Sequence, residues 1–166
     1  MKSDSDSQQP YVLGPEDGPA QWFVNNRAII KASASQTGGL FSLMEMRLGL
    51  GHSPPLHIHN GEDESFWVLE GELLLQCGEE KFKAGPGSFI YLPRGVPHTF
   101  MIEGDVLPRL LVLLVPGGGE RFFIEAGRPA EGQGFPPMTP PDFELMTRIG
   151  EKYHQQIIGP PLSQSH

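Results

Sequence analysis

His57, His59, Glu64 and His98 stand at spacings that could close on one metal ion. Alternate side chains of a strand share a face at roughly 7 Å along the chain, so His57 and His59 can reach a common ion. Asn60-Gly61-Glu62-Asp63 supplies a turn, with an Asn-Gly pair able to take positive φ. The chain then returns as a strand beginning near Glu64, and cross-strand neighbours sit about 5 Å apart. His98 opens a further strand and brings a third imidazole. Three imidazoles and a carboxylate suit one divalent transition metal (Fe, Mn, Ni, Co, Cu or Zn), whereas Ca and Mg sites normally use only oxygen. Four protein ligands leave one or two positions open on a five- or six-coordinate ion, as catalysis at a metal requires. The other histidines carry no such pattern. His52 sits in a turn, His154 is expected on a C-terminal helix and His166 ends the chain. Glu62 and Asp63 are expected to be solvated turn residues.

The elements that must hold these groups are strands. From Trp22 to Pro116 short apolar or alternating runs recur: Arg27–Ala32, Leu40–Leu48, Leu56–His59, Ser65–Leu69, Glu72–Gln76, Lys81–Ala84, Ser88–Leu92, His98–Ile102 and Leu107–Val115. Turn residues such as Thr37-Gly38-Gly39, Glu70-Gly71 and Gly85-Pro86-Gly87 separate them. About nine short strands without an intervening helical pattern predict an all-β sandwich or barrel. No internal repeat is present, so a single barrel is expected. Leu110–Val115 is apolar at every position, which predicts burial on both faces of that strand. The expected outer cover is a helix opened by Thr139-Pro140-Pro141-Asp142, with Phe143, Met146, Ile149 and Tyr153 at helical spacing. Glu120–Ala126 reads as a shorter helix ended by Gly127. The tail from Gly159 reads as coil. The expected division is a flexible arm over 1–18, the barrel over 19–128, and a helical extension over 129–166 packed on the barrel.

Composition narrows the function. The net charge of −8 repels phosphate backbones, so nucleic acid is not an expected partner. No run approaches the ~20 apolar residues of a membrane span. The single cysteine, Cys77, cannot form an intramolecular disulfide, which fits a reducing compartment; it ends an apolar run and reads as a small core or rim residue. The polar N-terminal MKSDSDSQQP lacks a signal-peptide segment. A soluble, cytoplasmic protein is expected. Tyr11-Val12-Leu13 is an apolar patch in the arm that could add to a neighbour's sheet edge, so a homodimer is expected.

The segment Gly51-x5-His57-x-His59-x4-Glu64-x6-Gly71 and the segment Gly87-x5-Pro93-x-Gly95-x2-His98 resemble the two signature motifs of the cupin superfamily. Nine fixed residues match. The last motif position, an Asn in the family, is Ile102 here; that Asn is not a metal ligand. Trp22-Phe23, Thr37–Leu43, Glu62–Gly71, Glu120–Phe123 and the Pro-Pro-Asp helix resemble small bacterial cupins of the quercetin-dioxygenase type. The resemblance implies a single conserved-barrel cupin and a metal held by His57, His59, Glu64 and His98. It also implies a metal-dependent dioxygenase (an oxidoreductase) that opens a flavonol, or a related enolisable aromatic, with dioxygen and releases carbon monoxide. Glu64 would be both ligand and base, taking the substrate hydroxyl proton, with the metal as Lewis acid. Phe66, Val68, Phe100 and Met46 would form an apolar pocket for a flat aromatic ring, and each would serve equally as barrel core. Fold does not fix function. The alternatives are an isomerase or lyase using the same metal without oxygen, and a non-catalytic small-molecule binder.

Overall fold

The computed structural model describes residues 8–163; His166 lies outside the described residues, as do residues 1–7 of the arm. Twelve strands and two helices follow in the order β1 Ala20–Phe23, β2 Asn26–Ala32, β3 Ser42–Arg47, β4 Pro55–His59, β5 Asp63–Glu70, β6 Glu72–Cys77, β7 Glu80–Ala84, β8 Phe89–Leu92, β9 His98–Glu103, β10 Arg109–Val115, α1 Glu120–Ala126, β11 Arg128–Pro129, α2 Phe143–Lys152 and β12 Gln155–Pro161. They form two antiparallel sheets. One has seven strands in the order β11-β1-β2-β3-β10-β5-β8, the other five in the order β12-β4-β9-β6-β7. Among the described residues no continuous hydrogen-bond ladder joins them, so the architecture is a jelly roll in which two sheets enclose one core rather than a closed barrel.

Alternation decides which residues face inward. On β5, Glu64, Phe66 and Val68 are buried while Trp67 is 48% exposed. Cross-strand register extends this into rows. Ser42, Leu114, Glu64 and Leu92 form one row across β3-β10-β5-β8, and Met44, Val112, Phe66 and Ile90 form the next. Leu73, Leu75 and Phe100 of the five-stranded sheet close the core from the opposite side. Gly71 makes the hairpin between β5 and β6 possible. Its φ is 76°, and a Cβ there would come within 2.7 Å of the Pro108 backbone.

Four expectations need correction. The outer side of β10 is not covered by the C-terminal helix: Leu111 and Leu113 are half-buried and Val115 is exposed. Instead α2 packs against β12 and α1. Its Met146 and Ile149 join Phe23 and Phe122 in a second apolar cluster, a richer partner for that stripe than one strand's outer face. The helix also starts later than Thr139: Asp142 is the cap, its carboxylate accepting from the Leu145 N–H. His154 lies just beyond that helix with φ 61° and turns the chain into the next strand. The tail is not coil. Residues 155–161 pair with β4, so the C-terminal segment supplies a strand to the five-stranded sheet.

The arm over residues 8–18 has no regular structure, yet it is tied to its own chain. The Lys31 ammonium donates to the carbonyls of Gly14, Pro15 and Asp17. Glu16 pairs with Arg27 and Arg47. Among the described residues no helix is long and apolar enough to cross a membrane.

Candidate metal centre

His57 and His59 project from β4, Glu64 from β5 and His98 from β9. One potential ligand atom from each lies within 4.8 Å of those of the others. His57 and His98 are direct cross-strand partners. Glu64 arrives from the facing sheet, and its Oε2 is 3.0 Å from His98 Nε2 and 3.3 Å from His59 Nε2. Gly95 holds the turn before β9, with φ 78° and its N–H donating to the His59 carbonyl at 2.8 Å. The second motif is thereby fastened to the first.

The outer nitrogens fix the rings. His57 Nδ1 donates to the Pro55 carbonyl at 2.7 Å, and His59 Nδ1 donates to Glu62 Oε1 at 2.7 Å. A proton on Nδ1 leaves the Nε2 lone pair for a metal. His98 Nδ1 faces the Val96 carbonyl at 3.4 Å, a weaker version of the same arrangement. Glu62 is therefore not a solvated turn residue, as the sequence suggests, but 5% exposed and bound to a ligand histidine. The turn at Asn60-Gly61 folds position i+3 back onto His59. Asp63 does face outward and pairs with Arg94 at 3.2 Å.

The electrostatics fit a cation. Burial works against a charge on Glu64, but the His59, His98 and His57 rings outweigh it and hold the carboxyl at about 2. His57 is lowered to about 3, by burial first and then by His98 and His59. On His59 burial also opposes charge, yet Glu64 and Glu62 overcome it and raise the value. Glu64 ionised and His57 neutral are the forms that ligate, while His59 would give up its Nε2 proton to an arriving ion. With three nitrogens and one oxygen converging, these residues fit a divalent transition metal.

A cavity adjoins the cluster, touching His57, His59 and Glu64. Phe23, Phe66, Phe100, Phe122, Phe123 and Phe143 contribute to its wall, and among the described residues no Lys or Arg does. Met46 also reaches it. Val68 does not: it is fully buried one row further along β5, opposite Leu110. Met44 and Leu48 are core residues, and Leu48 also touches the cavity. Sequence reasoning missed the polar wall residues Asn26, His52, Ser53 and Gln155. His52 lies beside Asn26, whose Nδ2 is 3.0 Å from its Nδ1, and burial lowers the ring to about 4. Gln155 is carried by β12 as the partner of His59. None has a local signal, since each depends on contacts distant in sequence.

Comparison with known proteins agrees with this geometry. The cupin domain model matches residues 44–116, which contain all four candidate ligands. The chain is 28% identical over 130 residues to quercetin 2,3-dioxygenase of Bacillus subtilis, a match covering 78% of this chain but only 38% of that enzyme's length. It is 33% identical over 116 residues to protein MJ1618 of Methanocaldococcus jannaschii, covering 70% of this chain and 86% of that one. Among solved structures, the polyketide cyclase RemF from Streptomyces resistomycificus superposes with a TM-score of 0.56 at 24% identity, over 64% of this chain and 80% of that one. Motif, site geometry and relatives converge on one conclusion: the chain belongs to the cupin superfamily.

Proposed function

We propose that this cupin is a metal-dependent dioxygenase acting on a flavonol or a related enolisable aromatic. The observation that carries the reading is the cavity wall. Six phenylalanines, with no Lys or Arg among the described wall residues, favour a flat, largely apolar ligand over a sugar phosphate, whose phosphate would need cations beyond the metal. The distant identity to quercetin 2,3-dioxygenase supports the same class. His57, His59, Glu64 and His98 hold the metal, and Phe66, Phe100 and Met46 pack on the ring. Glu64 takes the proton of the substrate hydroxyl. A carboxylate that also ligates the metal would be a weak base, so it would have to loosen from the ion as the hydroxyl is acidified. A divalent cation held by these residues would supply the Lewis acidity. The apolar wall around the ring would keep water away from the deprotonated substrate.

The overall balance is one flavonol and one dioxygen consumed, with one carbon monoxide and one ring-opened ester formed. The test is metal analysis of the purified protein, then an oxygen electrode with quercetin and 3-hydroxyflavone and carbon monoxide measured in the headspace. Equal oxygen and flavonol consumption is expected. Conversion of the substrate at the same rate without oxygen would replace this reading with an isomerase or lyase on the same metal. Binding without conversion would make the chain a small-molecule-binding cupin. We also propose that the protein acts in the cytoplasm as a homodimer. The outer face of the seven-stranded sheet supports the dimer: Trp67, Phe89 and Tyr91 are 48%, 61% and 55% exposed there, beside Leu111 and Leu113.

A further inference from the structure

Four buried side-chain atoms lack a hydrogen-bond partner among the described residues: Gln21 Oε1, Asn25 Oδ1, Arg109 Nε and Gln155 Nε2. Arg109 Nε still has Glu45 at 3.2 Å as an ionic partner. Only Gln155 belongs to the cavity wall beside the candidate metal centre. A buried amide N–H without an acceptor costs about 1–3 kcal/mol, so an unpaired one in a binding cavity asks for an explanation.

The chain places this amide with some care. Gln155 is the cross-strand partner of His59, and partners share a sheet face, so its side chain stands next to a ligand imidazole. Two residues on, Ile157 partners His57 in the same way and also lines the cavity. His154, immediately before it, takes the left-handed conformation that turns α2 into β12, and its carbonyl accepts from the Asn60 N–H at 2.8 Å. Gly150 leaves room for the Gln155 backbone, since a Cβ there would stand 3.2 Å from its carbonyl oxygen. This segment lies beyond the residues matched by the family model, which end at 116.

We infer that Gln155 is a specificity residue whose side-chain amide donates a hydrogen bond to an oxygen substituent of the ligand, next to the oxygen that Glu64 deprotonates. The inference rests on the proposed aromatic substrate and adds to it that the ligand carries two neighbouring oxygens, as an aromatic hydroxyketone or a catechol does. A hydrocarbon ring with a single hydroxyl would leave the amide unpaired and bind less well. The amide touches the ligand but holds no proton that the reaction moves.

The decisive variant is Gln155→Met, which keeps volume and removes the polar group. Binding is followed without oxygen, using the metal-loaded protein and two chromophoric probes, 3-hydroxyflavone and 4-nitrocatechol. Both should bind about tenfold or more weakly to Q155M than to the wild type, as expected for one lost hydrogen bond to a charged or polarised oxygen. Thermal stability of the metal-free protein should be equal or higher in Q155M, because the orphan amide is gone. A merely structural glutamine would give the opposite sign there. Unchanged binding of both probes by Q155M, a destabilised Q155M, or a wild type that binds neither probe overturns the inference. Gln155-dependent binding of 4-nitrocatechol by a wild type that ignores 3-hydroxyflavone sinks the flavonol reading alone and leaves this one standing.

Discussion

Replacing Glu62 tests whether the centre is built as described, because this residue touches no substrate. Its carboxylate accepts from His59 Nδ1 at 2.7 Å, and both side chains are about 95% buried. A hydrogen bond to a charged group in such a place is worth roughly 1.5–3 kcal/mol. Part of that holds the His59 ring with Nε2 toward the metal, and part raises the electron density of the ring. Loss of such a partner commonly lowers metal affinity about 10- to 100-fold, or roughly 1.4–2.7 kcal/mol, which agrees with the bond's own range. Glu62→Ala should therefore weaken metal binding by that factor. Glu62→Gln keeps a carbonyl acceptor at the same place and should lose tenfold or less. The assay is competition for Zn or Co against a chromophoric chelator, with thermal melting of the metal-free proteins as the control for folding. Affinity in Glu62→Ala within twofold of the wild type would refute the claim that Glu62 orients a ligand.

His59→Ala should abolish stoichiometric metal and any oxygen uptake while the far-UV circular dichroism stays β-rich, because the core is large and does not depend on the ion; loss of the β signal would contradict this. His52 should make the protein acid-sensitive. Burial holds the folded ring at about 4 against 6.5 unfolded, so its stabilising contribution is complete above about pH 6.5 and falls away as pH drops toward 4. The slope is at most about 1.4 kcal/mol per pH unit for one proton. Asn26 and Phe100, which face it, do not titrate. Denaturant midpoints should converge between wild type and His52→Gln less at pH 7 than at pH 5, and parallel curves would refute the assignment. Sedimentation of the full chain should give a dimer mass at micromolar concentration, and Trp67→Glu should shift it to monomer; a monomeric wild type would exclude the proposed interface.

How far the sequence reaches depends on the distance over which each feature is determined. The four candidate ligands were legible because strand alternation and two short turns bring them together, and because all lie within residues 57–98. The inward set of β5 followed from the same period of two, whereas β10, apolar at every position, gave no such alternation to read. Glu62 was misjudged because its role depends on which way a turn folds back, and an acidic residue in an Asn-Gly turn is usually solvated. The β12 strand was missed because Gly159-Pro160-Pro161 looks like coil, and Pro is tolerated there only because β12 is an edge strand. The misplaced cover over β10 has a similar origin. The run showed that the strand is apolar, but only the tertiary arrangement shows that Phe23 and Phe122 offer α2 a better partner.

The position of β12 also sets an order on biosynthesis. A nascent chain that has released β10 already owns every candidate ligand and most of the core rows, whereas Gln155 and Ile157 emerge later and must find β4 across almost one hundred residues. Pairing so remote in sequence carries a high entropic toll of loop closure and tends to form late. Topology alone would thus favour assembly in two stages, first the cluster of ligating groups, then the part of the cavity wall that Gln155 and Ile157 supply.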